Sequence, residues 1–269
     1  MTTNTTASQA ILHAVADALL LAEISGPPIA PISRAHPELT ADDAYAIQAI
    51  NAHSREVSAT APARVVGHKI GLTSKPMQEL LGVDQPDYGV LYDDRVHATG
   101  VELGVSGLIA PRIEPELAFV LREDLHGPGV AAADVLAATE SVIPALEVID
   151  SRIRDWKITL VDTIADNASC HCAVLAAERH PVAEVDLPAA DVAMSVDGEV
   201  RQQGVGAAVL GDPAEAVAWL ANALAGHGVA LKAGHVVLLG SLTAAVPIAA
   251  GNRVVADFGP LGRVEVTAR

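Results

Sequence analysis

The chain has 269 residues, of which 51% are hydrophobic and 19% charged, so it can bury a substantial core and disorder is disfavoured. Its formal net charge is −16 and its lysines and arginines form no clustered stripe, which disfavours a nucleic-acid partner. The apolar stretch 11–21 lacks a preceding basic segment and contains His13 and Asp17, which argues against export and membrane insertion. Two cysteines cannot build a disulfide framework, so we expect a cytoplasmic protein.

Two amphipathic helices are predicted in the first 60 residues. Apolar side chains recur at helical spacing over 11–22, and Gly26-Pro27-Pro28 then ends the pattern. The second helix begins after Thr40, whose hydroxyl can cap it together with Asp43, three residues on. Residues 1–60 are therefore predicted to form an N-terminal helical segment.

From residue 61 the sequence changes to short β-rich runs separated by Gly, Pro and Asp. Asp197-Gly198 predicts a tight hairpin, and Asp212-Pro213 predicts the start of one further helix. Strands do not alternate regularly with helices, so a doubly wound parallel sheet is disfavoured and an α+β domain over 61–269 is expected. The predicted strands are 65–72, 90–92, 116–121, 142–149, 173–175, 192–196, 199–202, 236–239, 254–258 and 263–267.

Three glutamates in these runs are candidates for one metal site. Glu114 and Glu116 fall on the same face of a strand, with Cα atoms roughly 6 to 7 Å apart, and Pro115 between them indicates an edge or a bulge. Glu147 stands alone in an apolar run, where a carboxylate must be paired, protonated or bound to a metal. A divalent ion prefers oxygen ligands and offsets the repulsion among carboxylates. The alternative is ordinary pairing with arginines, namely Arg112, Arg152 or Arg154.

Two more ionisable residues lie near glycine turns. Lys69 follows apolar residues in a strand, where a partly buried ammonium can have a lowered pKa and exchange protons. A structural lysine with a solvated head is the alternative. Asp87 can carry a proton or only hydrogen-bond its own backbone in a turn. Ser241 and Thr243 follow a strand and can bind a carboxylate, or they are ordinary hydroxyl-bearing turn residues.

Other motifs point less strongly to chemistry. Zinc binding at Cys170-His171-Cys172 is disfavoured, because no second Cys/His cluster follows at ligand spacing. Gly204-Val205-Gly206 does not form a dinucleotide-binding motif, and no Gly-x-Ser-x-Gly elbow is present in the sequence. Asp166-Asn167 either orients a catalytic group or turns the chain.

Five strings of sequence, in order along nearly the whole chain, are 67–74, 82–89, 111–116, 144–156 and 162–170. Together they resemble the 2-oxopent-4-enoate (2-hydroxypenta-2,4-dienoate) hydratases of the fumarylacetoacetate hydrolase superfamily. The resemblance implies that Glu114, Glu116 and Glu147 bind Mg²⁺ or Mn²⁺ and that Lys69 and Asp87 transfer protons. It also implies a mixed α+β body with a rolled β-sandwich-like core behind the N-terminal helices. Pro115 departs from the pattern, since relatives commonly carry Ala or Val there.

The implied activity is a hydratase that converts a 2-hydroxydienoate to a 4-hydroxy-2-oxo acid in aromatic or steroid meta-cleavage catabolism. A homo-oligomer, pentamer or decamer, and association with a pathway decarboxylase are implied too. The nearest alternative is 4-oxalocrotonate decarboxylase, although the string 151–156 resembles hydratases more. Acylpyruvate hydrolysis would normally use a His–carboxylate pair, and His68 is interpreted as a turn or surface residue. A non-catalytic partner subunit is the remaining alternative.

Overall fold

The computed structural model describes residues 7–269 as a mixed α+β body, which confirms the predicted fold class. Its helices are α1 (Gln9–Ser25), α2 (Ile32–Ala35), α3 (Ala41–Glu56), α4 (Lys75–Leu81), α5 (Ala132–Ala138), α6 (Leu160–Ala165) and α7 (Pro213–Ala225). Its strands are β1 (Val65–Gly71), β2 (Asp87–Tyr92), β3 (Val96–Ala98), β4 (Val101–Leu103), β5 (Arg112–Leu121), β6 (Thr139–Ile149), β7 (Cys170–Leu175), β8 (His180–Pro181), β9 (Asp191–Val196), β10 (Glu199–Val205), β11 (Val236–Ser241), β12 (Val246–Pro247), β13 (Arg253–Asp257) and β14 (Arg263–Ala268).

Two sheets share one core. The larger runs β2-β1-β11-β5-β6-β7-β3, with β12 beside β5 and β8 beside β6, and the smaller runs β10-β9-β13-β14-β4. The β1–β11, β3–β7 and β4–β14 pairs are parallel, whereas the other pairs are antiparallel. One hydrophobic cluster joins buried side chains of both sheets with those of α5 and α7. This arrangement agrees with the rolled, sandwich-like core that the resemblance implies.

The N-terminal helices pack mainly against one another and α6, and Tyr45 of α3 also contacts the main core. Leu12 and Leu19 of α1, Ile47 of α3 and Ile164 of α6 lie in a second hydrophobic cluster. The capping box predicted at the start of α3 is present, with reciprocal bonds between Thr40 and Asp43. Residues 1–6 of the predicted helical segment lie outside the described residues, and the domain boundary near residue 60 stays a prediction.

The predicted hairpin and the last long helix are also present. Asp197 and Gly198 have φ of 54° and 83°, which is the left-handed conformation that a two-residue type I′ hairpin turn requires. The Asp212 side chain caps α7 by accepting a hydrogen bond from the backbone N–H of Ala214. Over residues 7–269, no helix combines the length and the apolarity needed to cross a bilayer.

Pro115 lies in the interior of the larger sheet, so of the two predicted alternatives, an edge or a bulge, the edge was wrong. Strand β5 has neighbours on both sides, and the irregularity lies in β11, whose register shifts between Leu238 and Ser241. The carbonyl of Pro115 accepts a hydrogen bond from Leu242 on that side. Because the N and O atoms of a strand residue point the same way, the missing N–H faces the interrupted stretch of β11.

Candidate metal centre and active-site cavity

Strands β5 and β6 bring the three predicted glutamates together. Glu114 pairs directly with Glu147 across the two strands, and Glu116 lies two residues further along the same face of β5. One carboxylate oxygen of each residue lies within 4.8 Å of the others. These three are the one group of His, Cys, Asp and Glu side chains at metal-binding separation in the described part of the chain.

The environment of the three glutamates is poor for carboxylates alone. Glu147 is fully buried, and both of its carboxylate oxygens lack a hydrogen bond. Burial, together with the charge of Glu147, raises the pKa of Glu114 to about 7 and the pKa of Glu116 well above its ordinary value. A hard divalent cation would bind the carboxylate oxygens and favour the ionised forms, so the three residues fit such an ion.

Lys69 lies against this cluster. It is 4% exposed, its Nζ lies 3.3 Å from Glu147 Oε1, and it donates a 2.8 Å hydrogen bond to the Ala168 carbonyl. Burial alone would lower its pKa, but the charges of Glu147 and Asp87 outweigh burial and raise it. The expectation of a lowered pKa was therefore wrong, because the lysine is surrounded by carboxylates rather than by apolar groups alone.

Asp87 begins β2 and is 1% exposed, which disfavours the alternative that it is only a turn residue. It accepts a hydrogen bond from the Thr163 hydroxyl, and its second oxygen, Oδ1, has no partner. A Cβ added at Gly71 would lie 2.1 Å from that oxygen and 3.5 Å from Lys69 Nζ, so a side chain at position 71 would displace the Asp87 carboxylate. Burial raises the pKa of Asp87, and Lys69 partly offsets the rise.

The turn 167–169 holds the carbonyl that Lys69 contacts. Asn167, Ala168 and Ser169 have φ of 54°, 49° and 56°, a conformation that costs energy in non-glycine residues. The Asn167 side-chain amide offsets part of this cost, since it accepts a hydrogen bond from the Val90 N–H and donates one to the Val90 carbonyl. Asp166 forms a buried ion pair with Arg152. Asp166-Asn167 therefore turns the chain and also positions the Ala168 carbonyl.

These groups open into a cavity of about 320 Å³. Lys69, Asp87 and Glu114 are its ionisable acid and amine groups, and its apolar lining residues include Leu72, Met77, Leu80, Leu81, Ile149 and Ile158. Ser241 and Thr243 also line it, as predicted for substrate contact. Their hydroxyls donate to the backbone carbonyls of Thr243 and Ala244, at 2.8 and 3.1 Å. Their role in substrate binding stays a prediction.

Arg112 and Trp156 line the same cavity and were not predicted as site residues. The Arg112 guanidinium lies 4.5 Å from the centre of the Trp156 ring, and no carboxylate of residues 7–269 lies within 4.0 Å of it. The signal was strand parity, which places Arg112 on the same face as Glu114. The alternative of ordinary arginine pairing also fails for Arg152, which pairs with Asp166, and for Arg154, which bonds the Pro28 carbonyl.

His68 is buried, so its interpretation as a turn or surface residue was wrong. It is 3% exposed, and its ring centre lies 5.9 Å from that of His235. Burial lowers its pKa to about 3. It neighbours Lys69 in a strand, where successive side chains point to opposite faces, and it does not line the cavity.

Comparisons with known proteins agree with this geometry. A family model described as fumarylacetoacetate (FAA) hydrolase C-terminal matches residues 47–269. The chain is 52% identical to a 2-hydroxyhexa-2,4-dienoate hydratase of Comamonas testosteroni, over 84% of this chain and 85% of the relative. It is 43% identical to a 2-keto-4-pentenoate hydratase of Burkholderia vietnamiensis, over 91% and 93%. The solved structure of 4-oxalocrotonate decarboxylase from Pseudomonas putida G7, complexed with magnesium and adipate, superimposes with a TM-score of 0.94 at 38% identity, over 98% and 99% of the two chains.

Proposed function

Since this chain belongs to the fumarylacetoacetate (FAA) hydrolase C-terminal family, we propose that it is a hydro-lyase acting on 2-hydroxydienoates. It would add water to 2-hydroxypenta-2,4-dienoate, or a homologue, and release a 4-hydroxy-2-oxo acid in meta-cleavage catabolism of aromatic or steroid compounds. The observation that carries this proposal is one cavity lined by Lys69, Asp87 and Glu114, where Glu114 belongs to a cluster of three glutamates. The hydratases at 52% and 43% identity support the same reaction class.

Glu114, Glu116 and Glu147 would hold the divalent ion, Mg²⁺ or Mn²⁺ in this proposal. The buried Glu147 oxygens, which lack a hydrogen bond, and the raised pKa values of Glu114 and Glu116 support this assignment. A bound ion supplies Lewis acidity toward the oxygens of a 2-oxo acid and charge to offset the carboxylates. The magnesium in the decarboxylase structure is consistent with a hard cation.

Lys69 and Asp87 divide the two proton tasks of the reaction. In the first task, the Lys69 ammonium gives a proton to C5 of the dienol and regains one from the 2-hydroxyl, leaving an α,β-unsaturated 2-oxo acid. In the second, Asp87 takes a proton from water as the water oxygen adds to C4, and returns it to C3. The raised pKa of Lys69 keeps it charged as a donor, and the raised pKa of Asp87 makes its carboxylate a stronger base.

Decarboxylation of 4-oxalocrotonate is the second candidate. The decarboxylase structure superimposes over nearly the whole chain, so the fold does not separate the two reactions. Acylpyruvate hydrolysis is less favoured, because the described residues that line the cavity include no histidine for a His–carboxylate pair. A non-catalytic subunit would bind the ion without turnover.

The deciding experiment is an ultraviolet assay of dienol loss with added Mg²⁺ or Mn²⁺, followed by mass analysis of the product. We expect 2-hydroxypenta-2,4-dienoate to gain the mass of one water. Release of CO₂ from 4-oxalocrotonate without hydration of the dienoate would instead assign the chain to the decarboxylases. Metal binding with no turnover of either acid would favour the partner-subunit alternative.

The assembly is also a proposal. We expect a homo-oligomer, a pentamer or a decamer, formed by a 61–269 catalytic domain with its 1–60 helical segment, and association with a decarboxylase of the same pathway. Sedimentation of the purified protein alone, and then mixed with such a decarboxylase, measures both.

A further inference from the structure

We propose that Arg112, held in place by Trp156, binds the C1 carboxylate of the substrate acid. The inference rests on the proposed function, since it takes the substrate to be a 2-hydroxy- or 2-oxo acid. It assigns a role to Arg112 and to Trp156, neither of which the proton transfers use.

Arg112 lies beside the metal-binding candidates on the same strand face. It precedes Glu114 by two residues in β5, which places their Cα atoms roughly 6 to 7 Å apart with both side chains toward the cavity. An acid held next to Glu114 is therefore within reach of the long Arg112 side chain. A guanidinium matches a carboxylate in shape and can donate two parallel hydrogen bonds to it.

The Arg112 guanidinium has donors to spare. Among residues 7–269, no carboxylate lies within 4.0 Å of the guanidinium. The guanidinium stacks on the Trp156 ring. The second cation of the cavity differs, since the buried Lys69 already contacts Glu147 and the Ala168 carbonyl. Arg112 is thus the cavity cation whose hydrogen bonds remain available to a ligand.

Trp156 is fixed by the turn that carries it. Asp155 and Trp156 have φ of 61° and 55°, so the backbone adopts a conformation that non-glycine residues rarely take. The Trp156 indole N–H donates a 3.0 Å hydrogen bond to the Ala110 carbonyl, which precedes β5. The ring therefore bridges the turn and the strand, and its face limits the positions that the guanidinium can take.

The charge of the site is a second argument that Arg112 binds the carboxylate. Asp87 and Glu114 line the cavity, and the carboxylates of Glu116 and Glu147 cluster with that of Glu114. When all four acids are ionised, Lys69 and a divalent ion would leave one negative charge uncompensated. That excess would repel an anionic substrate. Arg112 removes it, so that a singly charged acid can enter a cavity of no net charge.

The remaining walls orient the substrate. Leu72, Met77, Leu80 and Leu81 form an apolar wall contributed by the segment after β1. Among the described residues that line the cavity, the cations are Lys69 and Arg112. With C1 at Arg112, the hydrocarbon end of the acid lies against the apolar wall, which favours a monoacid with an apolar C5 end over a dicarboxylate.

The test measures binding of an unreactive acid to the full-length, Mg²⁺-loaded protein. The probe is 2-oxopentanoate, followed by calorimetry and by Trp156 fluorescence in a Trp219→Phe background. We expect Arg112→Met to weaken binding roughly 10- to 100-fold, since a hydrogen-bonded charge is lost, and Arg112→Lys to weaken it less. Trp156→Leu is also expected to weaken binding of 2-oxopentanoate, because Arg112 then loses the ring on which it stacks. Arg154→Met, an exposed arginine on the same turn, is the matched control and should bind normally.

A diacid probe, 2-oxohexanedioate, identifies which end Arg112 contacts. We expect Arg112→Met to weaken both probes by the same factor. Weakening of the diacid alone would overturn the inference, because Arg112 would then bind the distal carboxylate. Unchanged binding of 2-oxopentanoate by a folded Arg112→Met, or by Arg112→Lys if the former does not fold, would also overturn it. Arg112-dependent binding without hydration of the dienoate would reject only the proposed function.

Discussion

Lys69 owes its properties to the side chains around it. A buried ammonium without partners would lose its proton easily, but Glu147 at 3.3 Å and the nearby Asp87 reverse that tendency and raise its pKa. It is therefore expected to act in catalysis from the charged form, as a donor, while the Ala168 carbonyl at 2.8 Å sets the direction of one N–H bond.

Replacing Lys69 with methionine is expected to lower kcat about 10²- to 10⁴-fold, the usual contribution of a positioned proton donor. Deuterium incorporation from solvent at C5 of the substrate should fall with it. Lys157→Met removes an exposed lysine and should leave both rates unchanged. Undiminished exchange at C5 in Lys69→Met would remove Lys69 from the mechanism.

His68 predicts a measurable pH dependence of stability. Burial lowers its pKa from 6.5 to about 3, so between these values the unfolded chain binds a proton that the folded protein does not. Protonation therefore favours the unfolded state, and this contribution to stability is present above pH 6.5 and is lost as the pH falls toward 3. One proton corresponds to about 1.4 kcal/mol per pH unit.

The variant His68→Phe removes this proton uptake. Relative to the parent, its free energy of unfolding is expected to improve by roughly 1 kcal/mol for each pH unit below 6.5. Urea unfolding of both proteins at several pH values measures the difference. His53→Phe, an exposed histidine of α3, is the control. A constant difference between parent and His68→Phe from neutral pH to pH 4 would contradict the assignment.

At the scale of elements, the sequence predicts interactions between residues close in the chain, but not contacts between distant segments. The capping box at Thr40 and the Asp197-Gly198 turn are formed by residues close in sequence, so the sequence contains the whole interaction. Strand parity likewise gave the shared face of Glu114 and Glu116. The pKa direction of Lys69 depended instead on β6, nearly 80 residues away, which no local pattern reports.

The approach of β2 to the turn 167–169 makes a prediction of its own. A Cβ added at Gly89 would lie 2.4 Å from the Asn167 carbonyl oxygen, so Gly89→Ala must displace the turn that holds the Ala168 carbonyl. We expect kcat to fall on the order of 10-fold or more, because a small misplacement of a catalytic group is costly. Steady-state kinetics measure this effect. Gly104→Ala, where an added Cβ meets nothing within 4 Å, is the control. Parent-like kcat in Gly89→Ala would show that the turn does not position Lys69.

At the scale of the molecule, the larger sheet assembles a site from segments far apart in sequence. Strands β1 and β5 are not neighbours, since β11 lies between them, and β6 follows on the other side of β5. The parallel pairing of β1 with β11 has no short connection that a sequence pattern could signal. The family resemblance predicts that Lys69 and the glutamates belong to one site, whereas the periodicity of the sequence does not relate them.

Metal binding should be visible in the stability of the whole protein. The ion binds deprotonated carboxylates of the folded state, so at 100 times its Kd it adds about 2.7 kcal/mol to the free energy of unfolding. For a chain of this size that corresponds to a rise in Tm of roughly 5 to 10 °C, which a chelator reverses.

Because burial raises the pKa of Glu114 to about 7, ion affinity should increase as the pH rises through that value. Calorimetric scans with and without Mn²⁺ measure both effects. Glu114→Gln is expected to abolish the rise, and Glu199→Gln, an exposed glutamate of β10, to retain it. An equal rise in Tm for Glu114→Gln and the parent would show that the ion binds elsewhere.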